Sequence, residues 1–259
     1  MSTFTVTTWN LLAQAYIKPE RYPHSPPEAL RPEPRRRLLL DHIRSSNSDI
    51  YCFQEVEADT YAAISEVLPH HLGRYAPKSS RPDGSAMFIA EHLGLLDHEI
   101  LHFQAQATGH EQLALLVKLT IDERPLVVVS THLQWQPVQT ERSNHLGRAQ
   151  LLEILARQSV LRVDWPSWII AGDFNALSES VVVQAALEQG FRLSCRSQRP
   201  WDTVNIHGRR RKLDYLLYTP ETLIPTPGHL PKLEPTTPMP SSRFPSDHLP
   251  VHVRYAWRE

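Results

Sequence analysis

Short polar clusters flank the apolar strands that the sequence predicts, and their residue types suit metal-assisted phosphate chemistry. In α/β proteins, functional sites form where the ends of strands converge. Carboxylate oxygens are the ligands that Mg²⁺ and Mn²⁺ prefer, asparagine and histidine can donate hydrogen bonds to phosphate oxygens, and a further aspartate can orient a water. The clusters are Trp9-Asn10, Gln54-Glu55, Thr131-His132, Gly172-Asp173-Phe174-Asn175, Leu213-Asp214 and Ser246-Asp247-His248.

Each cluster alone also has a purely structural explanation. Residues 172–175 could form an Asx turn that leaves a strand, residues 246–248 an N-cap-like turn, and Asp214 a buried carboxylate capped by backbone donors. Gln54-Glu55 is also typical of a solvated turn, and His132 of a hydrogen-bonded core histidine. Because these explanations are independent of one another, their joint occurrence would be an unusual coincidence, and the set favours a functional site.

Composition excludes several other kinds of site. The 259 residues include 9 glycines and 22 prolines and contain neither G-x-G-x-x-G nor a P-loop sequence, which argues against Gly-rich nucleotide sites. Cys52 and Cys195 lie far apart without a C-x-x-C motif, which excludes zinc ribbons and predicts two free, buried thiols. With 27 Lys+Arg against 28 Asp+Glu the net charge is −1, so a polyanion would be bound by a local basic cleft.

Hydrophobic periodicity predicts mixed strands and helices in one domain spanning residues 1–259. The four strands between residues 85 and 131 follow one another without helices, which favours an antiparallel meander. The Pro-rich segments 19–34 and 220–245 are predicted loops. The expected strands are 4–9, 49–53, 85–90, 95–103, 113–119, 126–131, 168–171, 213–218 and 249–257, and the expected helices are 34–45, 59–68, 142–161 and 181–189.

The N-terminal residues have neither the basic nor the apolar region of a signal peptide. Apolar stretches fall short of the ~20 residues of a membrane span. We therefore expect a cytoplasmic protein without a membrane-bound state, without a protein-docking domain, and monomeric.

The clusters carry a family likeness when they are taken in order. The motifs TWN, QEVE, STH, AGDFNA, LDYLLY and PSDH resemble those of the endonuclease/exonuclease/phosphatase (DNase I-like) superfamily. Finer features, including NLLA with Tyr16, RPDGSAMF and THLQWQP, resemble the clade of carbon-catabolite-repression deadenylases, nocturnin and Angel proteins. This resemblance implies a four-layer α/β sandwich in which two packed mixed β-sheets are flanked by helices.

The resemblance also implies roles for the polar residues. Glu55 is the expected principal ligand of Mg²⁺ or Mn²⁺, with Asn10 and Asp247 near the metal, and Asp173 is expected to orient and deprotonate the attacking water. The resemblance further implies that Asn175 and His132 bind the scissile phosphate, and that His248 contacts a phosphate oxygen while Asp214 holds its imidazole. Pro137 is expected against a nucleobase, and Asp83 in a loop beside the substrate.

Basic and aromatic residues suggest where a polynucleotide would lie. The run from Arg209 to Lys212 precedes Asp214 and could end a hairpin near the site, where Arg209 and Arg211 would bind phosphates; a simple exposed turn explains it equally well. Trp135 could stack on a base, or it could pack at the rim of the core. Arg35-Arg36-Arg37 is interpreted as a solvated helix face, with contact to a polyanion as the alternative.

The functional hypothesis is a Mg²⁺-dependent phosphodiesterase that acts on RNA as a deadenylase-like 3′-exoribonuclease. The alternative is a phosphatase that acts on a nucleotide 2′-phosphate or on an RNA 2′,3′-cyclic phosphate. A non-catalytic binding module is disfavoured because the complete polar set is retained, and a lipid phosphodiesterase because hydrophobic membrane-facing loops are not evident in the sequence.

Overall fold

The computed structural model describes residues 3–107, 109, 111–195, 201–206 and 208–259. Short 3₁₀ turns lie at Gln14–Tyr16, Pro19–Arg21, Pro27–Leu30 and Arg142–Asn144. The strands and helices are β1 (Thr3–Asn10), α1 (Pro32–Ser46), β2 (Ile50–Glu57), α2 (Ala58–Val67), β3 (His71–Pro77), β4 (Asp83–Ala90), β5 (Gly94–His102), β6 (Leu113–Ile121), β7 (Arg124–His132), α3 (Leu146–Leu161), β8 (Ser167–Asp173), α4 (Val181–Glu188), β9 (Arg192–Leu193), β10 (Val204–Ile206), β11 (Arg209–Arg211), β12 (Asp214–Tyr218), β13 (Leu223–Pro227) and β14 (Val251–Trp257).

Two six-stranded mixed sheets form the centre of the molecule. The first has the strand order β13-β14-β1-β2-β4-β3 and the second β5-β6-β7-β8-β12-β9, while β10 and β11 form a separate hairpin. In the first sheet β1 and β2 are parallel, and in the second β7 and β8 are parallel. Helices α1 and α2 pack on the outer face of the first sheet, and α3 and α4 on that of the second. The predicted four-layer sandwich is confirmed.

The central strands are buried on both faces, which explains their unbroken apolar sequence. In β2, Ile50 and Cys52 face the core between the sheets, whereas Tyr51 and Phe53 pack in the cluster that includes α1 and α2. The same alternation holds in β8, where the side chain of Trp168 packs in the cluster that includes α3 and α4. In these strands, alternate side chains therefore pack between the two sheets, and the intervening side chains pack between the sheet and its helices.

The register of the parallel pairs brings the polar clusters to one edge. Asn10 lies opposite Gln54 at the ends of β1 and β2, and His132 lies opposite Asp173 at the ends of β7 and β8. The antiparallel strand β12 begins at Asp214, which also pairs with Asp173. Since the sheets are stacked face to face, the two sets of strand ends form one concave site.

Some predicted elements differ from the structure. The meander is restricted to β5, β6 and β7, because β4 pairs with β2 and β3 in the other sheet; periodicity identifies a strand but not its partner. Strand β13 lies inside the expected loop 220–245, and it tolerates Pro225 and Pro227 because it is an edge strand. Strand β3 was also missed, and α3 begins at Leu146 after a 3₁₀ turn.

The expectations for the two cysteines and for Gly190 are confirmed. Cys52 and Cys195 are free and buried, and Gly190, just beyond α4, has a positive φ of 93° as expected after a helix. Among the helices of the described residues, none combines the length and apolar composition needed to cross a bilayer.

Gly172 allows β8 to approach β7 closely, and we predict that alanine is not tolerated there. A Cβ atom at this position would lie 1.8 Å from the carbonyl oxygen of Thr131 on the neighbouring strand. Because that atom is backbone, Gly172→Ala must separate the strands, and we expect a loss of about 3 kcal/mol in the free energy of unfolding, measured in urea.

Gly190→Ala is the matched control. Gly172 and Gly190 both have a positive φ, of 150° and 93°. A Cβ at Gly190, however, would meet nothing within 4 Å, so only backbone strain of about 1 kcal/mol is expected. Equal destabilisation by the two variants would show that the close approach of β7 and β8 is not the constraint.

Candidate active site

Glu55 reaches the site through an irregularity in β2. The pairing of β2 with β4 shifts register between Phe53 and Val56, and Glu55 has a positive φ of 54°. Such a bulge redirects a side chain relative to the alternation of the strand. The Oε1 atom of Glu55 accepts a hydrogen bond from Asn10 Nδ2 at 3.0 Å, and Oε2 accepts one from the Ala13 amide at 3.1 Å.

Asn10 connects Glu55 with Asp173. Its Nδ2 group also donates to Asp173 Oδ2 at 3.1 Å, while its Oδ1 accepts a hydrogen bond from the Leu12 amide at 2.9 Å. Both polar atoms of this buried amide are thus bonded to protein. Asn10 therefore lies beside the expected metal position and holds the two carboxylates together.

The two oxygens of Asp173 have different surroundings. Oδ1 accepts the Asn175 amide at 2.8 Å, so the Asx turn considered from sequence is present. Oδ2 faces the Nε2 atoms of His248 and His132, each at 3.6 Å. Burial raises the pKa of Asp173, and the two imidazoles only partly oppose this effect. One oxygen is fixed in a turn while the other, with raised proton affinity, lies in the site.

His248 is held by Asp214. Its Nδ1 donates to both carboxylate oxygens of Asp214, at 3.0 and 2.9 Å. Burial lowers the pKa of His248, but the charges of Asp214 and Asp173 outweigh this effect and raise it well above its ordinary value. These three side chains offer atoms within 4.8 Å of one another, as a metal site would. A protonated imidazole has no lone pair for a metal, so the trio fits a carboxylate–imidazolium chain better.

His132 contrasts with His248 in charge. Burial lowers the pKa of His132 to about 4, so its imidazole is neutral at pH 7. Asn175 Nδ2 lies 2.9 Å from His132 Nε2 and 3.0 Å from the Leu133 carbonyl oxygen. His132 Nδ1 is buried and makes no hydrogen bond with the described residues. The site thus combines one cationic imidazole, one neutral imidazole and an amide.

Asp247 has an oxygen that suits a cation. Oδ2 accepts a hydrogen bond from Tyr22 Oη at 3.0 Å, whereas Oδ1 is buried without a hydrogen-bond partner among the described residues. Burial raises the pKa of nearby Glu55 to about 7, and the charge of Asp247 acts in the same direction. Two interacting carboxylates with one buried, unbonded oxygen are a donor set that fits Mg²⁺ or Mn²⁺.

The segment carrying Asp247 and His248 is anchored on the end of β1. Ser246 Oγ donates to the Asn10 carbonyl oxygen at 2.7 Å and accepts the His248 amide at 3.1 Å. Trp9 Nε1 donates to the His248 carbonyl oxygen at 2.9 Å. The turn considered from sequence is therefore present, and it positions the side chains of Asp247 and His248.

Asp83 was expected in a loop beside the substrate, but the structure places it at the start of strand β4 instead of in a loop. Its carboxylate is buried and accepts hydrogen bonds from Lys78 Nζ, at 2.6 Å, and from Tyr16 Oη. Since these two donors satisfy it, Asp83 supports the wall of the site. Lys78 was missed because an isolated lysine before RPDG carries no sequence signal.

Arg35 is buried, which corrects its interpretation as part of a solvated helix face. Its Nη1 donates to the carbonyl oxygens of Leu11 and Pro245, and its Nε to Gln14 Oε1. It thereby links the loop after β1 to the loop before Asp247. The periodicity of α1 could have placed Arg35 on the inner face with Leu39, but its charge argued against burial.

A pocket of about 270 Å³ adjoins Asn175 and brings together two of the expected substrate residues. Its wall includes Trp135, which is 54% exposed, Arg211, Val138 and Leu177. Arg209 lines a neighbouring cavity of about 430 Å³ that also includes Arg211. The arginines lie on the hairpin formed by β10 and β11, as predicted.

The remaining members of the basic run and Pro137 are placed differently. Arg210 donates to the Leu233 carbonyl oxygen, and Lys212 to that of Cys195. Pro137 is exposed between Trp135 and Val138 in the chain, but it does not line the pocket. Of the run, Arg209 and Arg211 thus remain for an external anion.

Known proteins resemble the chain in sequence along nearly its whole length. Nocturnin from Mus musculus is 28% identical to the chain over 289 residues, and the CCR4-Not complex 3′-5′-exoribonuclease subunit Ccr4 from Candida albicans is 24% identical over 327 residues. The alignments cover 100% and 97% of this chain but 66% and 41% of those proteins. The chain thus spans less than two thirds of the length of these relatives.

Solved structures share the fold. The crystal structure of ANGEL2, a 2′,3′-cyclic phosphatase, in complex with adenosine-2′,3′-vanadate gives a TM-score of 0.81 at 18% identity, covering 98% of this chain and 95% of that one. The human nocturnin catalytic domain with bound sulfate gives 0.73 at 24% identity, covering 99% and 94%. These relatives confirm the resemblance drawn from the motifs.

The family model described as the Endonuclease/Exonuclease/phosphatase family matches residues 7–248, which includes every polar cluster of the site. The fold, the converging strand ends and this match agree: the chain belongs to the endonuclease/exonuclease/phosphatase family, whose members are phosphoric ester hydrolases.

Proposed function

We propose that the chain is a Mg²⁺- or Mn²⁺-dependent phosphodiesterase that hydrolyses RNA as a deadenylase-like 3′-exoribonuclease. The observation that carries the proposal is the connected set in which Asn10 joins Glu55 to Asp173 while His248, held by Asp214, faces the same Asp173 oxygen. The sequence similarity to Ccr4, a 3′-5′-exoribonuclease subunit, supports the choice of substrate.

Asp173 is proposed to activate the attacking water. Its Oδ1 is held in the turn by the Asn175 amide, whereas Oδ2 faces the two imidazoles, so Oδ2 is the oxygen proposed to accept the proton. Its raised pKa brings its proton affinity nearer to that of a general base at neutral pH. Asn10 keeps this oxygen oriented through its amide group.

The remaining polar residues are proposed to bind the phosphate. His248 carries positive charge and can donate from Nε2 to a phosphate oxygen, while Asp214 fixes its ring orientation. Asn175 and the neutral His132 supply further polar groups. Fixed donors of this kind stabilise the charge that develops on oxygen during displacement at phosphorus.

Glu55 and Asp247 would hold the divalent ion, with Asn10 beside it. When bound, Mg²⁺ or Mn²⁺ supplies positive charge that stabilises the phosphate oxygens. Glu55 is kept in place by Asn10 and the Ala13 amide, and Asp247 by Tyr22.

The substrate is proposed to extend from the phosphate toward the pocket. Trp135 is exposed and can stack on a base, with Pro137 two residues further along the chain, and Arg211 and Arg209 can bind backbone phosphates. A phosphatase acting on a nucleotide 2′-phosphate or an RNA 2′,3′-cyclic phosphate is the second candidate. It is favoured by the pocket, which suits a terminal nucleotide, and by the fold shared with the 2′,3′-cyclic phosphatase ANGEL2.

Glu55→Gln is predicted to abolish metal-dependent turnover. The glutamine keeps the size and can still accept from Asn10, but it lacks the charge needed for a divalent ion. We expect RNA hydrolysis in Mg²⁺ to fall by at least ~100-fold. Glu188→Gln, which alters a surface carboxylate paired with Arg142, is the control. Wild-type activity in Glu55→Gln would refute the metal assignment.

Asp173→Asn is predicted to lower kcat and leave KM nearly unchanged. The amide cannot accept the water's proton, and general-base catalysis typically contributes ~10²–10⁴-fold. Steady-state kinetics on an RNA oligomer would measure both parameters, with Asp164→Asn, an exposed site after α3, as the control. A raised KM at unchanged kcat would instead place Asp173 in substrate binding.

A substrate panel tests the proposed function directly. It contains 5′-labelled oligoadenylate, the same oligomer with a 2′,3′-cyclic phosphate, and a dinucleotide with a 2′-phosphate. We expect the wild-type protein to shorten oligoadenylate stepwise from its 3′ end, as resolved on a sequencing gel. Removal of the terminal phosphate groups without shortening would contradict the exonuclease proposal and favour the phosphatase.

Binding titrations of an RNA oligomer and of a mononucleotide, at several salt concentrations, test the two arginines. Arg209→Gln with Arg211→Gln should weaken RNA binding and leave mononucleotides nearly unaffected. The slope of log affinity against log salt should fall by about 1.4, because each contacted phosphate of a single strand contributes about 0.7. Arg36→Gln, which removes a surface pair with Asp59, is the matched control; an equal effect on mononucleotides would argue against backbone contacts.

A further inference from the structure

Tyr22 makes the two oxygens of Asp247 unequal. The phenol Oη donates to Oδ2 at 3.0 Å, while Oδ1 is buried and has no hydrogen-bond partner among the described residues. Tyr22 follows the 3₁₀ turn Pro19–Arg21 in the loop between β1 and α1. Nothing in the Pro-rich sequence around it indicates a contact with a carboxylate that is 225 residues away.

Both partners of this hydrogen bond are held firmly. The Tyr22 amide bonds to the Pro19 carbonyl, and the Tyr22 carbonyl accepts the Ser25 amide. Arg35 links the preceding loop to Pro245, two residues before Asp247. The backbone of Asp247 lies between Ser246, which is anchored on β1, and His248, which is anchored on Trp9. The Tyr22–Asp247 hydrogen bond therefore joins two segments whose backbones the fold holds in place.

The occupied oxygen limits how Asp247 can bind a cation. A carboxylate with both oxygens free can bind bidentately, as Ca²⁺ commonly requires with its six to eight flexible oxygen ligands. Mg²⁺ demands near-octahedral geometry, which the narrow angle of a bidentate carboxylate does not suit. A donor fixed on Oδ2 competes with bidentate binding and leaves Oδ1, which has no hydrogen-bond partner among the described residues, as the preferred ligand atom.

We propose that Tyr22 is a positioning residue that restricts Asp247 to one oxygen and thereby favours Mg²⁺ over Ca²⁺. This inference rests on the metal position assigned to Glu55 and Asp247 in the proposed function. Tyr22 acts through Asp247 and contributes no ligand itself.

Calorimetric titration of the whole protein with MgCl₂ and with CaCl₂ tests the proposal without measuring activity. Tyr22→Phe removes only the hydroxyl group. We expect its Mg²⁺ affinity to fall about tenfold, as for other residues that orient a metal ligand. Ca²⁺ affinity should stay the same or rise, so the preference for Mg²⁺ falls at least as much. Tyr218→Phe, at the far end of β12 from Asp214, is the matched control and should match the wild type.

The Asp247→Asn background isolates the hydrogen bond. The double variant Tyr22→Phe/Asp247→Asn should show the same ratio of Mg²⁺ affinity to Ca²⁺ affinity as Asp247→Asn alone. The reason is that the oxygen that Tyr22 orients no longer belongs to a carboxylate. Melting curves in EDTA compare the thermal stability of the metal-free variants. Any loss of stability caused by Tyr22→Phe is also present in the double variant, so it cannot account for a difference between the two backgrounds. The proposal would be overturned if Tyr22→Phe changed both affinities equally or tightened the binding of both ions. It would also be overturned if Tyr22→Phe still changed the Mg²⁺-to-Ca²⁺ preference in the Asp247→Asn background.

A Glu55→Gln titration separates this proposal from the proposed function. If the wild type binds Mg²⁺, Glu55→Gln loses it and Tyr22→Phe matches the wild type for both ions, only the role of Tyr22 is refuted. If the wild type binds no Mg²⁺, or Glu55→Gln binds it as tightly, the metal assignment and the role of Tyr22 fail together.

Discussion

The amide group of Asn10 is the interaction on which the site depends. It donates to Glu55, which lies at the irregularity in β2 of the first sheet, and to Asp173, which ends β8 in the second. Neighbouring carboxylates repel each other, and each loses hydration as the fold covers it, which raises their pKa values. A neutral group with two donor hydrogens offsets both costs without adding charge. The spacing of the sheets, set by the apolar core between them, determines whether one amide can reach both.

The rest of the site balances negative charge in the same local manner. Lys78 and Tyr16 satisfy Asp83, the His248 imidazolium lies between Asp214 and Asp173, and Tyr22 occupies one oxygen of Asp247. The net charge of −1 for the chain conceals this arrangement. An anionic substrate would thus meet an acidic centre whose charge is neutralised group by group, with Arg209 and Arg211 on the adjacent hairpin.

Sequence alone predicted the parts of this site that end strands. Asn10, Asp173 and His132 follow buried apolar runs, and parallel pairing necessarily brings such ends to one edge. Arg35, Lys78 and Tyr22 were not predicted, because each acts through a contact distant in the chain and has no local pattern. Strand β13 was missed because its prolines suggested a loop, and the partner of β4 because periodicity carries no information on pairing.

The docking of residues 246–248 on Trp9 and Asn10 has a consequence for biosynthesis. Those contacts join residues separated by 236 and 239 positions, and the chain is made from its N-terminus. While the ribosome still holds the segment that carries residues 246–248, Glu55 and Asp173 can be in place but Asp247 and His248 cannot. The nascent protein therefore lacks two of the polar side chains of the site until that segment has emerged and docked on Trp9 and Asn10.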